Sequence, residues 1–180
     1  PVSPLSPNEF DEDPNPALAA APQRGVAWFA DRAVEVALVA MTVALIVRSI
    51  VTGHAPFSNQ FEFAASFSWG ITATYVFFER RYRVRALSLV VLPLIIVAML
   101  YAFAQGTEVS PLMPALQNRL LLTLHVITAV IAYGAAAVSA AAAVLYLLKP
   151  YLKVRGLPSA DLLDEIGYRA IVICFPMLTI

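Results

Sequence analysis

Cysteine is almost missing from this chain: Cys174 is the only one in 180 residues. That excludes an internal disulfide and paired-thiol chemistry. Histidine is nearly as scarce, with His54 and His125 alone, too few for a multi-histidine metal cage. Charge is thin too. Asp, Glu, Lys and Arg make up 13% of residues and cancel to a formal net charge of zero, so the balance gives no reason to expect nucleic acid as a partner. The opening "PVSPLSPNEF" has no basic segment leading into an apolar core and does not read as a signal peptide. What the chain has in excess is apolar side chains, 60% of the total, with a mean hydropathy of +0.75. A soluble domain carries about 25% charged residues and less than half apolar ones. The composition therefore predicts a membrane protein.

Residues 1–26 hold Glu9, Asp11, Glu12, Asp13 and repeated prolines. They bury too little apolar surface to offset backbone ordering and read as a disordered acidic linker. Residues 27–180 read as one membrane domain. A helix rises 1.5 Å per residue, so crossing about 30 Å of hydrocarbon takes roughly 20 residues. Four apolar runs approach or exceed that length, at 33–51, 61–78, 86–104 and 120–148. A fifth begins near Ile166 and stops at Ile180, short of a full crossing. Pro93 is expected to kink the third. The segment 157–170 reads as a short amphipathic helix along the inner surface, with Ser159 as its N-cap. The expected fold is all-α: a polytopic transmembrane bundle of about five helices, the last truncated. The chain reads as a piece of a longer protein.

The basic residues alternate between loops. Arg24 and Arg32 precede the first run, Arg80, Arg81, Arg83 and Arg85 follow the second, and Lys149, Lys153, Arg155 and Arg169 follow the fourth. The other loops hold only Arg48 and Arg119. Basic residues resist translocation and mark the cytoplasmic side. The N-terminus is thus expected to be cytoplasmic, and "GHAPFSNQ" and "QGTEVSPLMPALQNR" to lie outside. His54 and His125 then share the outer side. No repeat of 20–50 residues is visible, and no pair of broken helices or mid-membrane charges suggests a transporter.

His125 lies five residues into the fourth run, roughly 8 Å from its outer end. Neutral imidazole there is a good axial ligand for heme iron, or a hydrogen-bonding group with Thr123 or Thr128 nearby. His54 stands between a turn-bound residue at Gly53 and Pro56 and a group that shares a cofactor with His125. Asn59 is the expected cap of the second helix. Glu62, three residues on, either bonds the preceding loop as a capping box does or serves a proton or ligand. Gly134, Ala136, Ala137, Ser139, Ala140 and Ala141 form a small-residue packing face. Cys174 reads as an apolar filler.

Three segments together are similar to a known family. "GHAPFSNQFEFAASFSWG", "LMPALQNRLLLTLHVITAVIAYGAAAVSAAAAVLYLLK" and "IGYRAIVICFPMLTI" resemble, in order and spacing, stretches of the CcsA/CcsB-type cytochrome c assembly proteins of the System II pathway. The resemblance covers about residues 45–180. It implies a heme-handling protein that, with a ResB/Ccs1-type membrane partner, carries heme b across the membrane and presents it to apocytochrome c. It also implies a bacterial cytoplasmic or thylakoid membrane, and possible membership of a cytochrome c heme lyase complex. By motif His125 matches an outer heme-ligating histidine. His54, Pro56, Ser58, Asn59 and Glu62 match a loop that supports the site. Phe61 stands where the family usually has tyrosine, and Cys174 where glycine is common. The family's tryptophan-rich WWD segment and first helix are not in this stretch. The competing reading is a non-catalytic scaffold subunit that docks a partner through the small-residue face.

Overall fold

The computed structural model describes residues 25–108, 119–151 and 157–180. Nearly all of the expected linker 1–26 lies outside the described residues, as do Lys153, Arg155 and the centre of the 105–119 segment. The chain divides into two units, Pro1–Ala33 and Val34–Ile180. In the first, Trp28 and Phe29 meet edge to face at 5.0 Å and the Arg32 guanidinium lies 5.9 Å from the Trp28 ring centre. The second carries the residues that bear on function.

Among the described residues five α-helices follow one another: α1 (Val26–Thr52), α2 (Gln60–Tyr82), α3 (Ser88–Ala104), α4 (Arg119–Leu148) and α5 (Ala160–Thr179). A 3-10 turn, Arg85–Leu87, leads into α3. No strand occurs among the described residues. Three of the described segments are long and apolar enough to cross a membrane: Trp28–Thr52, Arg85–Ala104 and Leu121–Leu148. The fold is therefore all-α with membrane-spanning helices.

The other two helices are long enough to cross but more polar, and the cause differs. In α2 the polar groups point inward: Glu62, Ser66, Ser68 and Thr72 are all buried. The Ser68 and Thr72 hydroxyls donate to the carbonyls of Ala64 and Ser68, at 2.8 and 2.7 Å, so neither is left unpaired. α2 packs on α3 and α4, while α5 packs on α4. In α5 the polar groups lie near the start, and here the expectation is corrected. The surface helix at 157–170 and the fifth span form one continuous helix. Ser159 caps it by accepting from Leu162 N–H at 3.2 Å, and Gly167 does not interrupt it. An apolar stripe of Leu163, Ile166, Ala170 and Cys174 is buried along it at helical spacing, which a break would misalign.

α1 is the most exposed helix, presenting Val36, Val39, Val43, Val47 and Ile50 outward. Three polar contacts tie it antiparallel to α2. Arg80 donates to Glu35 Oε1 at 2.6 and 3.0 Å, Trp69 Nε1 to Thr42 Oγ1 at 2.8 Å, and Arg48 Nε to Glu62 Oε1 at 2.7 Å. Glu35, Thr42 and Arg48 recur at about two helical turns, so one stripe of α1 meets α2. In hydrocarbon, where apolar contact between helices gains little over lipid, such bonds set the register.

Candidate functional site

The site is built at the end of the bundle where α1 turns into α2. Gly53 follows α1 with φ +71°, and its N–H closes the helix on Ser49 O at 3.0 Å. A side chain at Gly53 would meet nothing within 4 Å. Glycine is favoured there by the left-handed backbone alone. Thr52 Oγ1 then donates to His54 O at 3.2 Å, and the His54 imidazole lies with Nδ1 2.9 Å from Ala55 O. A carbonyl only accepts, so this contact puts a proton on Nδ1 and leaves Nε2 without a hydrogen bond among the described residues. Ser66 Oγ donates to Pro56 O at 3.2 Å and holds the middle of the loop to α2.

Asn59 caps α2 from an extended backbone, its side chain accepting from Glu62 N–H at 2.8 Å. Glu62 reaches back, not to the cap residue but one residue further. Its Oε2 accepts from Ser58 N–H at 2.8 Å and Ser58 Oγ at 2.6 Å. Its other oxygen takes Arg48 Nε. Glu62 is fully buried, yet both carboxylate oxygens are satisfied. Arg48 goes on to donate from its terminal nitrogens to Thr107 O at 3.2 and 3.3 Å and to Glu108 O at 3.4 Å. Asn59 Nδ2 also donates to Glu108 O, at 2.9 Å. One polar cluster thus joins the end of α1, the loop, the start of α2 and the segment after α3.

The same loop lies against α4. Phe57 is buried in a cluster with Val126 and Val130, with Ala55, Phe63 and Leu122 packed on it. Leu122 and Val126 bracket His125, so the loop covers the α4 turn that carries it. His125 itself is exposed. Thr128 Oγ1 donates at 2.9 Å to the His125 carbonyl, not to the ring, and the imidazole makes no hydrogen bond among the described residues. The structure therefore brings His54, Pro56, Asn59 and Glu62 into one loop-and-cap unit and sets the helical turn of His125 against it. It links the two imidazoles by no hydrogen bond among the described residues.

No group of three or more metal-ligating side chains occurs among the described residues. Heme asks for less, because the porphyrin ring holds the iron and the protein adds only axial ligands. An exposed imidazole with no hydrogen bond among the described residues, such as that of His125, is the donor type that fits. An apolar cavity of about 200 Å³ lies between α1, the loop, α2 and α4, lined in part by Leu45, Ile46, Phe57, Trp69 and Val130. It is smaller than the roughly 300–1,000 Å³ of pockets that enclose drug-sized ligands, and neither histidine lines it.

The small-residue face of α4 is used in part inside the chain: Gly134 and Ala141 are buried, Ala136, Ala137 and Ser139 half-buried, and Ala140 exposed. A Cβ at Gly134 would stand 2.5 Å from Gly70 O, so α2 and α4 cross at a glycine pair. Ala132, Ala135 and Ala142 are buried, the first two in a cluster with Cys174 of α5.

Sequence reasoning missed three residues here. Arg48 reads from the sequence only as a loop charge; its signal is an opposite charge at matching depth, Glu62, across a short turn. Trp69 carries a signal of its own, an indole N–H inside an apolar run that needs an acceptor. Gly70 carried no signal until its crossing partner Gly134 was known.

Comparison with known proteins decides the family. The cytochrome c assembly protein family matches residues 57–180, more than half of the chain. The chain belongs to that family. Its relatives include the cytochrome c biogenesis protein CcsA of Nostoc punctiforme, 35% identical over 120 residues, covering 63% of this chain and 33% of the relative. The CcsA of Chlorella vulgaris is 30% identical over 116 residues, covering 62% and 36%. That of Guillardia theta is 24% identical over 171 residues, covering 80% and 56%. The chain spans about a third to a half of the length of these relatives. No solved structure matches it. The matched region contains Phe57, Asn59, Glu62 and His125.

Proposed function

We propose that this chain is the part of a System II assembly protein that holds heme b at the outer membrane face for covalent attachment to apocytochrome c. Heme is the cargo, carried across the membrane with a ResB/Ccs1-type partner. In this reading His125 supplies an axial imidazole to the iron from the outer end of α4. His54, with Nδ1 bonded to Ala55 O and Nε2 in no hydrogen bond among the described residues, stands in the loop beside it. Pro56, Asn59 and Glu62 shape that loop. The membrane is the bacterial cytoplasmic or the thylakoid membrane, with Arg80 and Arg81 at the end of α2 and Lys149 just after α4 on the inside by the charge rule. The thiols of the acceptor and the second iron ligand come from outside the described residues.

The observation that carries the proposal is the family match combined with the placement of His125, exposed and making no side-chain hydrogen bond among the described residues, on the α4 turn that the 53–59 loop packs against. The scaffold reading rests on the small-residue face of α4, of which Gly134 and Ala141 are buried within the chain while Ala136, Ala137 and Ser139 are half-buried and Ala140 is exposed. The test uses the full-length protein purified from membranes. His125→Ala is expected to weaken the Soret absorbance per protein and to lower cytochrome c maturation. An unchanged Soret band together with unchanged maturation overturns the ligand assignment.

A further inference from the structure

Arg48 stands out because it belongs to no ligand set and yet closes the polar cluster around the loop. Each of its three side-chain nitrogens is engaged: Nε with Glu62, and the terminal pair with the Thr107 and Glu108 carbonyls. Its guanidinium also lies 4.9 Å from the centre of the Phe61 ring, within cation–π range. Four of the five N–H donors of the guanidinium are used in these bonds, which leaves at most one for an anionic ligand. Its work is to hold.

What it holds can be followed residue by residue. Arg48 orients the buried Glu62 carboxylate by one oxygen, and the other oxygen grips Ser58 twice. Ser58 is the neighbour of Phe57, whose ring is buried against Val126 and Val130 of α4. On the other side of the loop, Thr52 Oγ1 bonds both Arg48 O, at 2.9 Å, and His54 O. The residues from 54 to 58 are thus fastened at both ends to elements that Arg48 joins. A planar, bidentate guanidinium suits this task, since it meets a carboxylate and carbonyls on different edges at once.

We propose that the Arg48–Glu62 pair is a latch that keeps the 53–59 loop seated on the α4 turn of His125, making Arg48 a positioning residue for the heme-holding site. The proposal rests on the heme-handling reading above. It adds that the site's geometry depends on a side chain that touches neither the iron nor the acceptor. Breaking one member leaves the other charge buried and alone, which destabilises the protein for reasons unrelated to heme. The informative variant therefore removes both.

The experiment compares the full-length wild type with Arg48→Leu/Glu62→Leu, Arg48→Lys and His125→Ala. Two quantities are read: hydrogen–deuterium exchange of the peptide covering residues 53–59, and the Soret and α-band positions of the bound heme at matched protein level. The latch predicts normal accumulation of the double variant, with at least tenfold faster exchange in that peptide and shifted heme bands. Arg48→Lys, which keeps charge but not the fork, is expected to fall between. Unchanged exchange in the double variant overturns the latch. Faster exchange with wild-type heme bands overturns the positioning role. If the wild type carries no heme and His125→Ala changes nothing, the heme-handling reading fails, and the positioning role with it. Exchange in the double variant still decides the latch itself.

Discussion

Gly134→Ala and Gly167→Ala are the same chemical change in the interiors of two helices, and the structure gives them opposite signs. At Gly134 an added Cβ would stand 2.5 Å from Gly70 O, 2.5 Å from Thr74 Oγ1 and 2.9 Å from Gly70 C. Two of those atoms are backbone of α2 and cannot rotate aside, so α2 and α4 must separate. Overpacking of this kind costs about 1–3 kcal/mol, and a rigid backbone contact belongs near ~3. Alanine regains about 1 kcal/mol of helix propensity, leaving a net loss of ~2 kcal/mol. At Gly167 the added Cβ would meet only Ser139 Oγ at 3.8 Å and Ala142 Cβ at 3.9 Å, ordinary contact distances. There the propensity gain of about 1 kcal/mol stands alone. For a chain of this size 1 kcal/mol moves Tm by roughly 2–4 °C. Gly134→Ala is thus expected to lower the melting temperature of the detergent-purified protein by about 4–8 °C, and Gly167→Ala to raise it by about 2–4 °C. Shifts of the same sign in both variants would refute the reasoning, because it rests on the α2–α4 crossing being closed by two glycines and the α4–α5 contact being open.

The other expectations are smaller in scale. Asn59→Ala removes the cap on Glu62 N–H and the bond to Glu108 O; a loss of about 1 kcal/mol in thermal or denaturant unfolding is expected. Asn59→Asp should recover much of it by keeping the capping oxygen, and equal losses for both variants would speak against the cap. Trp69→Phe and Thr42→Val each delete one side of the 2.8 Å bond between α1 and α2. A double-mutant cycle on unfolding is expected to give a coupling of about 0.6 kcal/mol, the average for interhelical bonds in membranes. A coupling of zero would mean that the two helices are held without it. The heme-absorbance test of His125→Ala and the exchange test of the Arg48–Glu62 pair complete the set.

Much of the local structure was readable from residue types alone. Asn59 and Ser159 start helices because short polar side chains accept from backbone N–H groups three residues ahead. The apolar runs declared the long helices, since the length needed to cross hydrocarbon is set by the helical rise. The predicted break near residue 166 was wrong for a physical reason. The polar residues Asp161, Asp164 and Glu165 alternate with buried Leu163 and Ile166, a pattern that suits a surface helix and the start of a longer one equally well. Only the contact with α4, continued through Ala170 and Cys174, distinguishes them.

Sequence by itself determined that this is an all-α membrane protein, that Asn59 and Ser159 cap helices, and which family it belongs to, because composition, periodicity and motif are local or additive. Tertiary structure alone decided the partners. Arg48 meets Glu62 across a turn, Trp69 meets Thr42 from a neighbouring helix, and Gly70 meets Gly134 from 64 positions away. Arg48, Thr42, Trp69 and Gly70 are unremarked in isolation. They acquire a role when packing brings a donor, a charge or a backbone to within contact distance in a medium that leaves an unpaired polar group no water to fall back on.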